Sequence, residues 1–288
     1  MEPQIQAYWV PKLGNSTEEY EDAFAYSTTD GMFAIADGAT ESSFADRWAR
    51  DLVDSFVTKP PEVNGSKVAF PEWLTPMQQR WRAGIDWENL PWFAEEKAKT
   101  GAFATFLGLT IYDPDLLKRT TLFEKAASLF RKHEPPQVYK WKAIAVGDSC
   151  MFQIREDKLI ACFPISHPAE FSSRPVLLCS NPVNNAGVWP EVKIEQGDCK
   201  NDDLFILATD AVAKWFLDQR DLGGKPWETL SGIRSQMEFS DLVARLRNEK
   251  SMRNDDATIV LCTWKGGAAP KMTRSLFSRK NQPTLTAV

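Results

Sequence analysis

Short apolar runs, several with an aspartate at one end, punctuate the chain. Gly31 to Ala36 (GMFAIA) has the pattern of a buried strand and stops at Asp37-Gly38, a pair suited to a turn. From Ser42 to Val53 the period changes. Phe44, Trp48 and Leu52 recur at helical spacing, with Arg47, Arg50 and Asp51 on the other side, which predicts an amphipathic helix. Upstream, Glu21 to Tyr26 reads as a strand with acids at its start, and Asp30-Gly31 suits a two-residue hairpin turn into the next strand. Antiparallel pairing through that turn brings Glu21 and Asp22 beside Asp37, since all three lie remote from the turn.

The remaining runs repeat the theme. Tyr8 to Leu13 is a short opening strand at most, and Ala102 to Tyr112 is a strongly apolar strand. Val138 to Val146 alternates as a strand and runs into Gly147-Asp148-Ser149. Cys150–Ile154 and Lys158–Phe163 form a hairpin around Glu156-Asp157. Asp203 to Thr209 is a buried strand ending at Asp210, followed by a helix from Val212 to Leu217. Further helices are expected at Trp227–Met237 and Phe239–Lys250, and Ala257 to Trp264 is a final strand entered through Arg253-Asn254-Asp255-Asp256.

Three stretches break the pattern. Residues 58–99 interleave prolines with Trp73, Trp81, Trp87 and Trp92, which predicts an insertion packed on the body by its tryptophans, with short helices at Pro76–Ala83 and 93–99. Residues 115–136 read as a solvated excursion with an amphipathic piece at Leu122–Phe130 and a charged run at Arg131–Glu134. Residues 164–200 are rich in loops and proline, with one strand at Pro175–Cys179. The tail, 266–288, is basic without an acid and is expected to be disordered.

Composition narrows the function classes. A chain of 288 residues, 43% hydrophobic, can bury a full core. Its net charge of −5 argues against a nucleic-acid binder. No apolar run reaches the roughly 18–20 residues of a membrane span, and the N-terminus lacks the pattern of a secretory signal, so a cytoplasmic location is expected. Five cysteines without CxxC spacing fit reduced thiols, and two histidines remote from one another argue against a histidine-rich metal site.

Aspartates at strand ends (Asp22, Asp37, Asp148, Asp210, Asp255) are the recurrent chemistry. If they converge, mutual repulsion raises their pKa values and destabilises the fold unless hard divalent cations neutralise them. An all-oxygen site suits Mg²⁺ or Mn²⁺, and two such ions can activate water for attack at phosphorus.

Glu21-Asp22-Ala23-Phe24, Asp37-Gly38, Gly101 to Thr105, Gly147-Asp148-Ser149, Ala208-Thr209-Asp210 and Asp255-Asp256-Ala257-Thr258 resemble, in order and spacing, the motifs of the metal-dependent protein phosphatases of the protein phosphatase 2C family, bacterial type. The resemblance spans nearly all of residues 8–264. It implies an α+β fold, a four-layer α-β-β-α sandwich of two mostly antiparallel sheets flanked by helices, as one domain over 1–265 with a flap-like region at 164–200.

It also implies a site. Asp37 would bridge two Mn²⁺ or Mg²⁺ ions, the Gly38 carbonyl would bind one, and Asp210 and Asp255 would complete the first. Glu21 and Asp22 would hold metal-bound waters, and Asp148 with Asp210 marks a third-ion position. The implied activity is hydrolysis of phosphoserine and phosphothreonine in proteins, with phosphoprotein substrates and, by analogy, a serine/threonine kinase or its targets as partners. The sequence departs from the pattern at substrate contacts. Thr17 stands where the family's phosphate-binding arginine is expected, leaving Lys12 as the phosphate-binding candidate, and Ala211 and Cys150 replace a glycine and an arginine. The alternative these departures motivate is a metal-binding, catalytically weak pseudophosphatase acting as a regulatory module.

Overall fold

The computed structural model describes residues 3–64, 67–114 and 139–265. The expectations for 122–130, 131–134 and the tail 266–288 lie outside the described residues. The strands are β1 (Gln4–Val10), β2 (Ala23–Ser27), β3 (Met32–Ala36), β4 (Val63–Asn64), β5 (Lys67–Val68), β6 (Phe103–Ala104), β7 (Phe106–Tyr112), β8 (Tyr139–Val146), β9 (Cys150–Arg155), β10 (Lys158–Phe163), β11 (Leu178–Cys179), β12 (Lys193–Cys199), β13 (Leu204–Ala208) and β14 (Ala257–Thr263). The helices are α1 (Ala45–Thr58), α2 (Phe70–Ala83), α3 (Trp92–Thr100), α4 (Asp210–Asp221), α5 (Pro226–Gly232) and α6 (Gln236–Asn248).

Two five-stranded sheets dominate, with orders β1-β14-β13-β9-β10 and β12-β8-β7-β3-β2, and every pairing in them is antiparallel. Strand alternation explains the layering. In β13, Phe205 and Leu207 enter the core between the sheets, whereas Ile206 and Ala208 face the outer core with Val212, Phe216 and Phe239 of α4 and α6. In β3, Phe33 and Ile35 point between the sheets, while Ala34 and Ala36 meet Trp48, Leu52 and Phe56 of α1. The result is the expected α-β-β-α sandwich. Completely burying each large apolar side chain contributes about 1.5–3 kcal/mol, so the three clusters supply the main driving force.

Several expectations about elements are corrected. The β2–β3 turn spans four residues, 28–31, because the ladder ends at Ser27 paired with Met32. Helix α2 begins at Phe70 rather than Pro76, with Pro71 in its first turn, where the missing N–H costs nothing. The predicted helix at 227–237 is two: α5 ends at Gly232, and a new helix starts after Ser235, whose side chain accepts from Glu238 N. Strand β1 lies earlier than 8–13, and β12 was not anticipated within 164–200. In the insertion, Trp73 and Trp81 are buried, and Trp73 Nε1 donates to Lys59 O at 2.7 Å, whereas Trp92 is exposed. Among the described residues no helix is long and apolar enough to cross a membrane.

Candidate metal centre at the strand-end rim

Strand register within each sheet, together with the stacking of the two sheets, brings the acids to one rim. Ala23 pairs with Ala36, so Asp22 and Asp37 emerge side by side; Ala208 pairs with both Cys150 and Ile259, so the segments bearing Asp148, Asp210 and Asp255 emerge together; and Val10 pairs with Ala257, which adds the loop after β1. The two stacked sheets thus end in a shared edge lined by carboxylates.

Local structure fixes each position. Asp37 leaves β3 with its N–H donated to Thr105 Oγ1 at 3.1 Å and its carbonyl accepting from Thr105 N at 2.8 Å. Thr105 Oγ1 also lies 2.7 Å from Ser149 Oγ, which ties the Asp37 turn to the Asp148 turn. Gly38 is required by close approach, since a Cβ there would stand 2.7 Å from Glu21 O. Gly147 has φ +95° and packs against Thr105, the left-handed conformation that lets β8 turn sharply into Asp148.

Asp22 is buried, and both Thr209 Oγ1 (3.0 Å) and Thr258 Oγ1 (2.6 Å) donate to its Oδ2. Because the Thr258 proton is committed to Asp22, the Tyr20 hydroxyl 2.5 Å away is the donor to Thr258. Asp256, absent from the expected ligands, accepts from Lys12 N and Glu21 N, each at 2.7 Å. It clamps the loop carrying Lys12, Glu21 and Asp22 onto the segment carrying Asp255. The Asp255-Asp256 pair was visible in the sequence, but only the fold shows that its second member binds backbone rather than facing the rim.

The electrostatics are those of crowded carboxylates. Burial, then Asp255 and Asp148, pushes the Asp37 carboxyl up to about 8. Burial raises Asp148 to about 6, against the opposing pull of Arg253. Asp22 is raised by burial and then by Asp37, and Glu21 is raised chiefly by burial. Arg253 stands among them: its Nη2 contacts Asp210 Oδ2 and lies 3.1 Å from Asp255 Oδ2.

Whether the residues suit a metal is answered by what they leave unpaired. Asp22 Oδ1, both carboxylate oxygens of Asp148 and Asp210 Oδ1 are buried with no hydrogen-bond partner. Orphaned buried anionic oxygens are costly, and hard divalent cations are their natural partners. The donors therefore fit Mg²⁺ or Mn²⁺ in kind. Among the described residues no three acidic, histidine or cysteine side chains are already gathered as a finished ligand shell. Arg253 holds Asp210 and Asp255 instead.

No protein-family model matches this chain, and no curated protein matches it in sequence. Solved structures do match its fold. The Mycobacterium tuberculosis serine/threonine phosphatase PstP/Ppp is 13% identical, with a TM-score of 0.55 over 92% of this chain and all of that one. The chain has the fold of the serine/threonine phosphatases. The PstP catalytic domain in complex with two manganese ions is equally 13% identical (TM-score 0.53, 92% of this chain and 99% of that one). The photosystem II phosphatase PBCP is 14% identical (TM-score 0.55, 91% and 99%). The α-β-β-α layers implied by the sequence motifs are thus the phosphatase-fold layers.

Proposed function

We propose that the chain is a Mn²⁺- or Mg²⁺-dependent phosphatase that hydrolyses phosphoserine and phosphothreonine in proteins. The observation that carries this reading is the set of buried carboxylate oxygens of Asp22, Asp148 and Asp210 left unpaired at one rim. Asp37, the Gly38 carbonyl, Asp210 and Asp255 would hold two ions, and Asp148 with Asp210 a third. Such ions, when bound, supply Lewis-acid polarisation of the phosphoryl group and a water acidified for attack.

The chain's own contribution is orientation and charge. Thr209 and Thr258 fix one Asp22 oxygen and leave the other to face the rim, where with Glu21 it would hold water in place. Lys12, whose backbone is tethered to Asp256 and whose charge only partly offsets the burial that raises the Glu21 pKa, would attract the phosphoryl oxygens from that side. Asp37 and Asp148 carry raised pKa values, which a dication would pull down again by stabilising the charged forms. The described cysteines and His167 are not called on. All five cysteines are free thiols, and those of Cys150, Cys179, Cys199 and Cys262 are buried with pKa values raised by burial, the reverse of an activated nucleophile.

A binding module with little activity is the second reading, favoured by the grip of Arg253 on Asp210 and Asp255. Hydrolysis of p-nitrophenyl phosphate and of a phosphothreonine peptide, in EDTA and in Mn²⁺, separates the two. The phosphatase reading expects turnover with Mn²⁺ and none in EDTA. Mn²⁺ uptake without turnover would establish the binding module.

A further inference from the structure

Arg253 stands in the loop between α6 and β14, two residues before Asp255. Nη2 of its guanidinium is committed to Asp210 and Asp255, while the side chain remains 43% exposed to solvent. The neighbouring arginines are engaged elsewhere. Arg247 donates to Pro11 O at 3.0 Å and Asp255 O at 2.5 Å, Arg50 reaches Phe24 O, and Arg47 lies over the Phe44 ring.

The backbone around Arg253 makes its side chain the movable part. Asn254 Oδ1 accepts from Leu13 N at 2.7 Å, its Nδ2 donates to Leu13 O at 3.2 Å, and Asp256 holds Lys12 N and Glu21 N. The carboxylates can stay in place while the guanidinium swings. A divalent ion bound by Asp210 and Asp255 needs the oxygens that Nη2 now contacts, and a double charge at coordination distance outcompetes a single one. The displaced guanidinium, tethered at residue 253, stays over the same rim. There it meets a need that the exposed Thr17 leaves open, a planar, forked cation for a phosphate dianion.

We propose that Arg253 is an exchangeable cation: it neutralises Asp210 and Asp255 until a divalent ion takes them, and the freed guanidinium then positions the phosphoryl oxygens of the substrate. Phosphate binding is thereby conditional on metal. The inference rests on the metallophosphatase reading above and adds a substrate-positioning residue to the same site.

The full chain, R253Q and R253K test it by calorimetry. R253Q should bind Mn²⁺ more tightly by about tenfold or more, because a competing charge beside the ion is gone. With Mn²⁺ saturating, orthophosphate should bind R253Q about tenfold or more weakly, and R253K should recover only part, since an ammonium lacks the fork. Tighter Mn²⁺ with unweakened phosphate overturns the positioning role, and weakened phosphate with unchanged Mn²⁺ overturns the exchange. A wild-type chain that takes up no Mn²⁺ fails at the metallophosphatase reading itself. Should R253Q not fold, side-chain ¹⁵N spectra of the wild type decide the exchange: Mg²⁺ should shift the Arg253 Nε–Hε resonance, assigned by its loss in R253K, and an unmoved resonance overturns it.

Discussion

At the scale of single residues, the site is a balance between carboxylate repulsion and whatever cation relieves it. Burial and the neighbouring carboxylates hold the Asp37 carboxyl in the fold at about 8, well above the 3.8 of an ordinary aspartate. Such a group supports the fold fully below its unfolded pKa and loses that contribution as pH rises through the folded value. In EDTA the melting temperature should therefore fall as pH climbs from about 5 to about 8, and Asp37→Asn should flatten that slope. A wild-type profile that is flat or rises over this window contradicts the crowding. With both carboxylate oxygens buried and unpaired, Asp148→Asn should melt higher than wild type in EDTA and lose that advantage in Mn²⁺. For catalysis, Asp37→Ala should abolish activity together with at least one bound ion, read by Mn²⁺ calorimetry, whereas Asp148→Ala should keep the two-ion core. Lys12→Ala should lower kcat/KM by roughly tenfold or more at unchanged Mn²⁺ affinity, the loss of one cation near the phosphate. Kinetics within twofold of wild type would remove Lys12 from the site.

Among the elements, the decisive contact joins two loops distant in sequence, residues 11–22 and 253–258. Asp256 is their clamp, with two backbone N–H donors on one buried carboxylate. Asp256→Ala leaves both donors without that acceptor and should cost about 3–6 kcal/mol, since hydrogen bonds to charged groups contribute about 1.5–3 kcal/mol each. Urea denaturation measures it, and a loss under 1 kcal/mol would mean that other groups replace the clamp. Sequence pattern located β3, β7, β9, β13 and β14 well because their residues are buried on both faces and read as nearly unbroken apolar runs. It missed β12 because that strand pairs only with β8, at a sheet edge, and Lys193 and Glu195 on one face with Gln196 and Asp198 on the other leave it no apolar run. It shortened α2 because Pro71 and Pro76 resemble breakers, although the first occupies an opening turn and the second is tolerated inside the helix.

Across the whole molecule, two sheets converge on one acidic edge, so ion binding should be coupled to global stability. A ligand at a hundred times its Kd adds about 2.7 kcal/mol when it binds only the folded state. For a chain of this size that corresponds to roughly 5 °C in Tm. Calorimetric scans in EDTA and in millimolar Mn²⁺ should show this shift, and Asp37→Ala should shrink it. A wild-type Tm indifferent to Mn²⁺ would separate the rim from metal binding altogether. The insertion at 58–99 plays a different part. Trp73 joins Phe70 and Phe106 in an aromatic cluster outside the β12-β8-β7-β3-β2 sheet, and Trp48 of α1 donates to Leu178 O, so this layer is secured by apolar contact and indole hydrogen bonds.

The sequence by itself determined most of the buried strands, that aspartates end many of them, and, through the ordered motifs, the four-layer fold. These are local properties: burial on both faces writes an apolar run, and a sharp exit writes Asp-Gly or Gly-Asp. Tertiary structure alone decided which aspartates share a rim and which cation lies among them. Asp255 and Asp256 are adjacent and chemically alike, yet one faces Arg253 and the other binds Lys12 N and Glu21 N. Arg47, Arg50 and Arg253 were equivalent along the chain, and only Arg253 contacts Asp210 and Asp255. Coulomb interactions depend on distances in space, and those distances are set by strand register and sheet stacking between segments as many as some two hundred residues apart.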